Sequence, residues 1–177
     1  DGPESRGLPE RCIFMPTTAG GVMRPVLYNN NYQITQGRDS VAIQVEMIHD
    51  IRIIRIGDTH KAAYGTVRPW SGDAVGRYEG NTLIVETKNF HPFQELYGAS
   101  DQVKVTERFT RVADNRLFYQ FEIDDPVTWD RPWGGEYEFW QSVGIYEYAC
   151  HEGNIGMFGI LEGARELERQ AAAKDTP

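Results

Sequence analysis

One inward-facing glutamate is the residue that the sequence places best for acid or base chemistry. Glu107 alternates with Val105 and Phe109, and alternate side chains of a β-strand share one face, here the face predicted to be internal. Burial disfavours the charged form of a carboxyl, which suits such a group to act as a general acid or base at neutral pH. The alternative is a structural ion pair between Glu107 and an arginine such as Arg52 or Arg77.

Three histidines add polar groups that could take part in proton transfer. His151 lies in the densest polar cluster of the chain, whereas His49 and His60 stand in short polar stretches. For these two histidines the alternative is a structural role. His49 and Asp50 would form a tight turn, and His60 would be an ordinary polar residue of a loop. The catalytic candidates are therefore Glu107, His49, His60 and His151.

The spacing of these residues predicts neither a metal nor a cofactor. No two histidines have the i, i+4 spacing of one helix face, and the two cysteines, Cys12 and Cys150, lie far apart in the sequence. The nucleophile-elbow pattern GxSxG and the phosphate-loop pattern GxGxxG are also absent from the sequence. Any catalysis is expected to be cofactor-free proton transfer, of the isomerase, lyase or cyclase type.

Loop aromatics and two arginines are the candidates for binding a ligand. Trp70, Trp133 and Tyr148 have the size to form the apolar walls of a pocket, and Arg52 and Arg77 have the charge to hold its polar part. Aromatic side chains belong to the core more often than to a pocket, so core packing is the alternative for all three.

These candidates are distributed over short segments that alternate like β-strands. The clearest is a hairpin at 76–90, GRYEGNTLIVETKNF, in which Gly80 and Asn81 accept the positive φ of a tight turn. Further strands are predicted at 27–34, 41–48, 51–56, 103–112, 117–123, 136–143 and 145–150, and a helix at 157–174. Because a flat antiparallel meander would leave open edges, we expect an all-β protein closed into a lipocalin-like barrel, with one C-terminal α-helix. A two-sheet sandwich is the second choice.

The chain divides into three predicted regions. Residues 1–25, rich in Pro and Gly, predict an extended leader over the surface, 26–156 the barrel, and 157–177 a helix and tail packed on it. We expect a disulfide between Cys12 and Cys150, because the cysteine count is even, the leader otherwise has no tether, and a chain beginning at Asp1 is compatible with export. Two reduced, buried thiols are the alternative.

The overall charge narrows the choice of partners. The formal net charge is -8 and no Lys/Arg-rich run occurs, which argues against nucleic acid or an anionic membrane surface. No apolar run approaches the length of about 18 residues that a membrane span needs, so we expect no membrane insertion. The expected partners are a small-molecule ligand and, for a homo-oligomer or a larger assembly, other protein chains.

Four motifs resemble those of a family of uncharacterised proteins from soil bacteria, many of which look exported. They are GRYEGNTLIVETKNF at 76–90, TERFTRV at 106–112, DDP at 124–126 and YEYACHEGN at 146–154. The resemblance spans most of the chain, with Tyr78 and Asn81 standing where Trp and Asp are usual, both mild changes. It implies a β-rich fold and a periplasmic or secreted location, and it brings no established activity to carry over.

Two hypotheses about function follow. The first is a barrel that binds a small organic molecule, with a cofactor-free acid/base enzyme as its catalytic form. The second is a non-catalytic accessory or structural subunit of a secreted or envelope assembly. An open, polar-lined cavity would favour the first hypothesis, and a packed interior with Glu107 bound to an arginine would count against it.

Overall fold

Eight strands form one curled sheet, and a helical C-terminal segment follows them in the sequence. The computed structural model describes residues 2–16, 21–61, 67–94 and 96–174. The strands are β1 (Tyr32–Gln36), β2 (Ser40–Val45), β3 (Ile51–Ile56), β4 (Asp73–Glu79), β5 (Thr82–Lys88), β6 (Lys104–Ala113), β7 (Arg116–Asp124) and β8 (Trp133–Trp140). Two α-helices follow, α1 (Cys150–Gly153) and α2 (Ile155–Lys174), and two short 3-10 helices cover Pro3–Ser5 and Met47–His49.

Alternation along the strands places the core on the inner face of the curl. On β6, Val105, Glu107 and Phe109 are buried, and on β7 their counterparts Tyr119 and Phe121 are buried as well. The same period holds on β2, whose burial alternates residue by residue. The predicted inward direction of Glu107 is therefore confirmed.

The predicted hairpin at 76–90 is confirmed as β4 and β5. The two strands pair antiparallel from Asp73 opposite Lys88 to Glu79 opposite Thr82. Gly80 has a φ of 61°, which a glycine adopts without the steric penalty of a Cβ. The hairpin is longer than predicted, because β4 begins at Asp73.

The sheet departs from an antiparallel meander at one pair of strands. The strands follow one another in chain order from β1 to β8, but β3 and β4 run parallel, with Ile54 opposite Ala74. A parallel pair needs a connection that returns the chain to the end of the sheet where the first strand began, so it cannot be made by a tight hairpin turn. Here β3 ends at Ile56 and β4 begins at Asp73. The prediction of antiparallel pairing was wrong for this pair only.

The sheet is open, so closure into a barrel is not observed. Its strand order is linear, and among the described residues β1 and β8 do not pair. The two edges approach through side chains, with the rings of Tyr32 and Phe139 in edge contact at a centroid distance of 5.6 Å. The architecture is a curled half-barrel.

Three predicted strand regions are shorter in the structure, and a fourth is displaced. In the region 41–48, β2 ends at Val45 and is followed by the 3-10 helix Met47–His49, and the strand predicted at 136–143 is observed as β8 at Trp133–Trp140. In the region 27–34, β1 begins only at Tyr32, and the region 145–150 contains no strand before α1 begins at Cys150. Regular alternation in 145–150 is thus not sufficient for pairing. Strand pairing needs a neighbouring edge in register, and side-chain contacts such as that of Tyr148 with Tyr28 hold this segment instead.

The leader enters the core, where the sequence predicted a surface path. Val22 and Met23 are fully buried against the inner face of the sheet, and Phe14 is also buried. The predicted disulfide between Cys12 and Cys150 is confirmed, with the two Cα atoms 5.8 Å apart. Residues 17–20 of the leader lie outside the described part of the chain.

The C-terminal helix is confirmed, but it adds nothing to the core. No residue of α2 is fully buried, and Ile155, Phe158 and Leu167 are largely exposed. The predicted packing of this helix on the barrel is therefore not seen, and the predicted tail, 175–177, lies outside the described residues. None of the described helices combines the length and the apolar character that crossing a membrane requires.

Candidate functional site

Glu107 forms a buried ion pair with Arg52, the first of its two predicted arginine partners. Glu107 lies on β6 and Arg52 on β3, with two strands between them, so the curl of the sheet brings the side chains together. Arg52 donates from Nη1 to Oε2 at 2.5 Å and from Nη2 to Oε1 at 3.0 Å. Exposure of the two side chains is 1% and 0%. The pair is thus a bidentate, desolvated contact in the centre of the core.

Tyr119 and the leader complete this network. The Tyr119 hydroxyl donates to Glu107 Oε1 at 2.9 Å and accepts from the backbone N–H of Met23 at 3.0 Å. Burial and the neighbouring Glu107 carboxylate raise the pKa of Tyr119 well above its usual value, so the hydroxyl stays protonated and able to donate. Both carboxylate oxygens of Glu107 therefore have partners, which favours the structural role over the acid/base role.

The three candidate histidines lie in different parts of the molecule. The Nδ1 atom of His49 is 3.2 Å from the backbone oxygen of Tyr148. His60 lies between two carboxylates, with Nδ1 3.2 Å from Asp73 and Nε2 3.1 Å from Glu86. His151 is exposed on α1. The structure does not bring these histidines together with Glu107.

The surroundings of His60 form an ion-pair cluster on the outer side of the sheet. Arg55 donates from Nη1 to Asp73 at 2.6 Å, and Lys88 contacts Glu86 at 2.7 Å. Burial alone would raise the pKa of Asp73, but the guanidinium of Arg55 and the backbone N–H of Lys61 hold it below its usual value. The carboxylates of Asp73 and Glu86 are thus each paired with a cation. Through these contacts the cluster connects the residues that follow β3 with β4 and β5.

The predicted aromatic walls also fail to converge. The ring of Trp70 lies against that of His91, tilted by 30° with the centroids 3.8 Å apart, and Trp133 packs edge-on against Trp129 at 5.5 Å. Tyr148 packs against Tyr28 near the start of β1. These three side chains therefore lie in three separate places, Trp133 and Tyr148 half-buried against different hydrophobic clusters and Trp70 outside both clusters.

The last predicted ligand contact, Arg77, lies on the outer face of β4. Its Nε atom donates to Glu79 at 2.9 Å, and both side chains are more than half exposed. Because Gly76 is the residue opposite inward-facing Val85, the next residue, Arg77, must point outward. It contacts neither Glu107 nor the cavity described next.

A cavity of about 690 Å³ occupies the inner face at one end of the sheet. It lies beneath the β1–β2, β4–β5 and β6–β7 hairpins and the last residues of β8, and Gly144 and Ile145 pass along it. Its apolar walls are formed by inward-facing side chains, among them Ile34, Ile43, Leu83, Phe109, Leu117 and Phe139. Its rim carries polar and charged residues, including Gln36, Asn81, Arg111, Asp114 and Arg116.

Two residues connect the cavity with the buried network. Met23 lines the cavity, and its backbone N–H contacts Tyr119. Tyr32 also lines it, and its buried hydroxyl has no hydrogen-bond partner among the described residues. Burial raises the pKa of Tyr32, so this hydroxyl is a protonated donor next to an apolar space. An unpaired buried hydroxyl is unfavourable, and a ligand atom could satisfy it.

Sequence reasoning missed this cavity. Strand alternation does identify Ile43, Leu83 and Leu117 as inward-facing, but it assigns them to the core without showing that space remains between them. That space depends on how far the sheet curls and on which side chains of distant strands meet. A useful signal would have been the polar turn residues that precede inward-facing apolar ones at the hairpins, such as Asn81 before Leu83 and Asn115 before Leu117.

Among residues 2–16, 21–61, 67–94 and 96–174, no group of three or more His, Cys, Asp or Glu side chains is arranged to hold a metal ion. The ionisable residues that line the cavity are Tyr32, Tyr78, Arg111, Asp114 and Arg116. Comparison of the chain with protein-family models, with curated proteins and with solved structures finds no match.

Proposed function

We propose that the protein binds a small, largely apolar organic molecule in the cavity at the end of its curled sheet. The observation that carries this proposal is the combination of an apolar interior of about 690 Å³ with an exposed polar rim. Ligand pockets typically have volumes of roughly 300 to 1,000 Å³, with mainly apolar walls and a few polar groups. Lipocalin-like barrels use the interior of a sheet in the same way.

Glu107 does not support the catalytic form of this hypothesis. Its two oxygens already accept hydrogen bonds from Arg52 and Tyr119, and neither Glu107 nor Arg52 lines the cavity. A general acid or base must come within hydrogen-bond reach of its substrate. The proposal is therefore a binding protein without an assigned reaction.

Binding can be tested with N-phenyl-1-naphthylamine, a neutral apolar dye that fluoresces more strongly in an apolar site. We expect saturable binding of one dye per chain. Leu117→Trp adds bulk to the cavity wall and should weaken dye binding at least about tenfold, the scale of a 1.4 kcal/mol loss. Leu167→Trp makes the same change on the exposed face of α2 and should leave the affinity unchanged.

The test includes a substitute variant and two outcomes that would refute the proposal. If Leu117→Trp loses its native circular dichroism, Ile34→Trp replaces it, because Ile34 lines the same cavity and is 43% exposed, where a larger side chain is easier to accept. Failure of the wild-type protein to bind the dye would refute the proposal. Equal binding by wild type and both folded cavity variants would also refute it.

A second candidate function is a subunit of a larger protein assembly, and the exposed apolar residues of α2 favour it. Ile155, Phe158 and Leu167 are 80%, 72% and 68% exposed. Large apolar side chains at such exposure often mark contact surfaces. Sedimentation velocity of the wild type and of Phe158→Glu tests this function, because a self-association that depends on α2 should weaken in the variant.

We also propose that the protein resides in the periplasm or is secreted. The disulfide between Cys12 and Cys150 supports this location, because disulfides persist in oxidising compartments and are rare in the cytosol. The motif resemblance to uncharacterised, exported-looking proteins points the same way. Cell fractionation with an antibody against the protein tests the proposal, and recovery in the cytosol with reduced cysteines would refute it.

A further inference from the structure

We infer that the ligand of this cavity is an apolar molecule that carries a carboxylate, with the carboxylate bound by Arg111 at the rim. This inference rests on the proposed function and names its ligand class. Three features of the described residues support it: the inward direction of Arg111, the lack of a buried carboxylate beside its guanidinium, and the apolar side chains of the cavity walls.

Arg111 occupies an inward-facing position at the mouth. Along β6 it continues the inner set of Glu107 and Phe109, and it pairs with Leu117 of β7, another wall residue. Glu107 lies deep in the core, whereas Arg111 comes four residues later and is exposed at the rim. Its guanidinium is thus the cation that a ligand meets at the end of the apolar wall.

Among the described residues, no buried carboxylate is paired with Arg111. Its Nε and Nη2 atoms donate to the backbone oxygens of Ala113 and Asp114 at 3.4 Å and 3.0 Å. The carboxylate of Asp114 lies 3.6 Å from Nη2, and this side chain is fully exposed. Solvent screens such a contact strongly. Arg111 therefore keeps its ability to bind an incoming carboxylate in the bidentate manner that its planar guanidinium favours.

The second arginine of the rim does not compete with Arg111 for a ligand. Arg116 precedes inward-facing Leu117, so its side chain lies on the outer face of the sheet. There it lies over the ring of Trp140 at 5.2 Å and contacts Glu138 at 3.3 Å. Of the two arginines that line the cavity, Arg111 is therefore the one whose side chain faces it.

The cavity has the length to hold the apolar part of such a ligand. Gln36, at the mouth, and Tyr32, near the buried network, are four residues apart on β1, which corresponds to about 13 Å of strand. Ile34 between them, together with Ile43 and Leu83 of the neighbouring walls, offers apolar surface on which an alkyl chain or a fused ring system would lose part of its contact with water. The hydroxyl of Tyr32, which has no hydrogen-bond partner among the described residues, offers one further hydrogen bond at the inner end.

The test uses three probes that share a ten-carbon chain: decanoate, decanol and decylammonium. Each is titrated at neutral pH against bound N-phenyl-1-naphthylamine, and its affinity is taken from the displacement. We expect Arg111→Gln to weaken the binding of decanoate by about three- to fivefold, up to the scale of an exposed ion pair worth 1 kcal/mol. The affinity for decanol should stay within twofold, so that the ratio of the two affinities changes.

The matched control is Arg108→Gln. Arg108 lies on the outer face of the same strand, and its replacement removes the same charge from the protein. This variant should bind decanoate as the wild type does. Arg111→Lys keeps the charge without the planar fork and should retain part of the preference for decanoate.

The outcomes separate this inference from the proposed function. Suppose that the dye binds but Arg111→Gln changes the affinities for decanoate and decanol by the same factor. The carboxylate assignment is then wrong, and the cavity remains a binding site. The same holds if decylammonium displaces the dye better than decanoate does. If Arg108→Gln lowers the affinity for decanoate as much as Arg111→Gln does, the effect is a long-range electrostatic one and the assignment to Arg111 is wrong. If no dye binds at all, the proposed function fails and the inference fails with it.

Discussion

Arg52 and Glu107 form a bidentate ion pair across the inner face of the sheet, although two strands separate them in the sheet order. The contact joins β3, which precedes the parallel crossover, to β6, which follows it. Tyr119 and the backbone of Met23 extend the network to β7 and to the leader. The ion pair therefore connects parts of the chain that have no strand pairing with one another, and its loss should affect the whole fold.

Glu107→Gln should destabilise the protein by about 3 to 5 kcal/mol, because it leaves the buried Arg52 guanidinium without its counter-charge. Urea denaturation followed by circular dichroism measures the free energy of unfolding. The control is Glu79→Gln, which breaks the exposed pair with Arg77 and should change stability by less than about 1 kcal/mol. Unchanged or increased stability in Glu107→Gln would contradict the structural role and reopen the search for acid/base activity.

Tyr119→Phe should cost about 1 to 3 kcal/mol. The change removes the donor to Glu107 and leaves the buried N–H of Met23 without its acceptor, while the aromatic packing stays. Tyr78→Phe is the matched control, because its hydroxyl accepts from Gln36 on the surface and the residue is 45% exposed. Equal effects of the two changes in thermal or urea denaturation would show that the network adds nothing beyond a surface hydrogen bond.

Loss of the disulfide should lower the stability by about 5 kcal/mol in the chain-entropy account, because the bridge closes a loop between residues 138 apart in the sequence. Replacing both Cys12 and Cys150 by Ser tests this in urea denaturation without reductant. Intact mass is the independent check, since reduction of the wild-type protein should add two hydrogens. A mass that does not change on reduction would contradict the bridge.

Asp50 should make the protein less stable as the pH rises from about 4 to about 6. Burial raises its pKa from the usual 3.8 to about 6, although the neighbouring His49 opposes this shift. The folded state thus favours the protonated carboxyl, so the destabilisation is absent below the unfolded-state pKa and complete above the folded-state pKa. Oδ2 is also buried without a partner among the described residues.

Asp50→Asn removes this titration and should raise the stability at pH 7.5 by about 1 kcal/mol, a value reduced for the partial exposure of the side chain. At pH 4 the variant and the wild type should differ little. Urea denaturation at the two pH values makes the comparison, with Asp39→Asn as the control at an exposed carboxyl. A gain of equal size at both pH values would show that the charge of Asp50 is not its cause.

The sequence by itself determined which side chains face inward and where several elements lie. Period-two alternation placed Glu107 beside Val105 and Phe109, and the turn residues Gly80 and Asn81 located the central hairpin. The composition of 157–174 located the C-terminal helix, and the even cysteine count pointed to the disulfide. These properties depend on neighbouring residues along the chain, or on a pairing with only one partner available, so local patterns were sufficient.

Only the tertiary structure decided which distant residues meet. It selected Arg52 over Arg77 as the partner of Glu107, because strand register places Arg52 on the inner face and Arg77 on the outer face. It also made β3 and β4 parallel, drew Met23 into the core, and left space beneath the hairpins beside Arg111. Alternation gives each strand its two faces, but strand order, direction and the curl of the sheet result from packing between residues far apart in the chain. The cavity exists only through that packing, and no single segment of the sequence contains it.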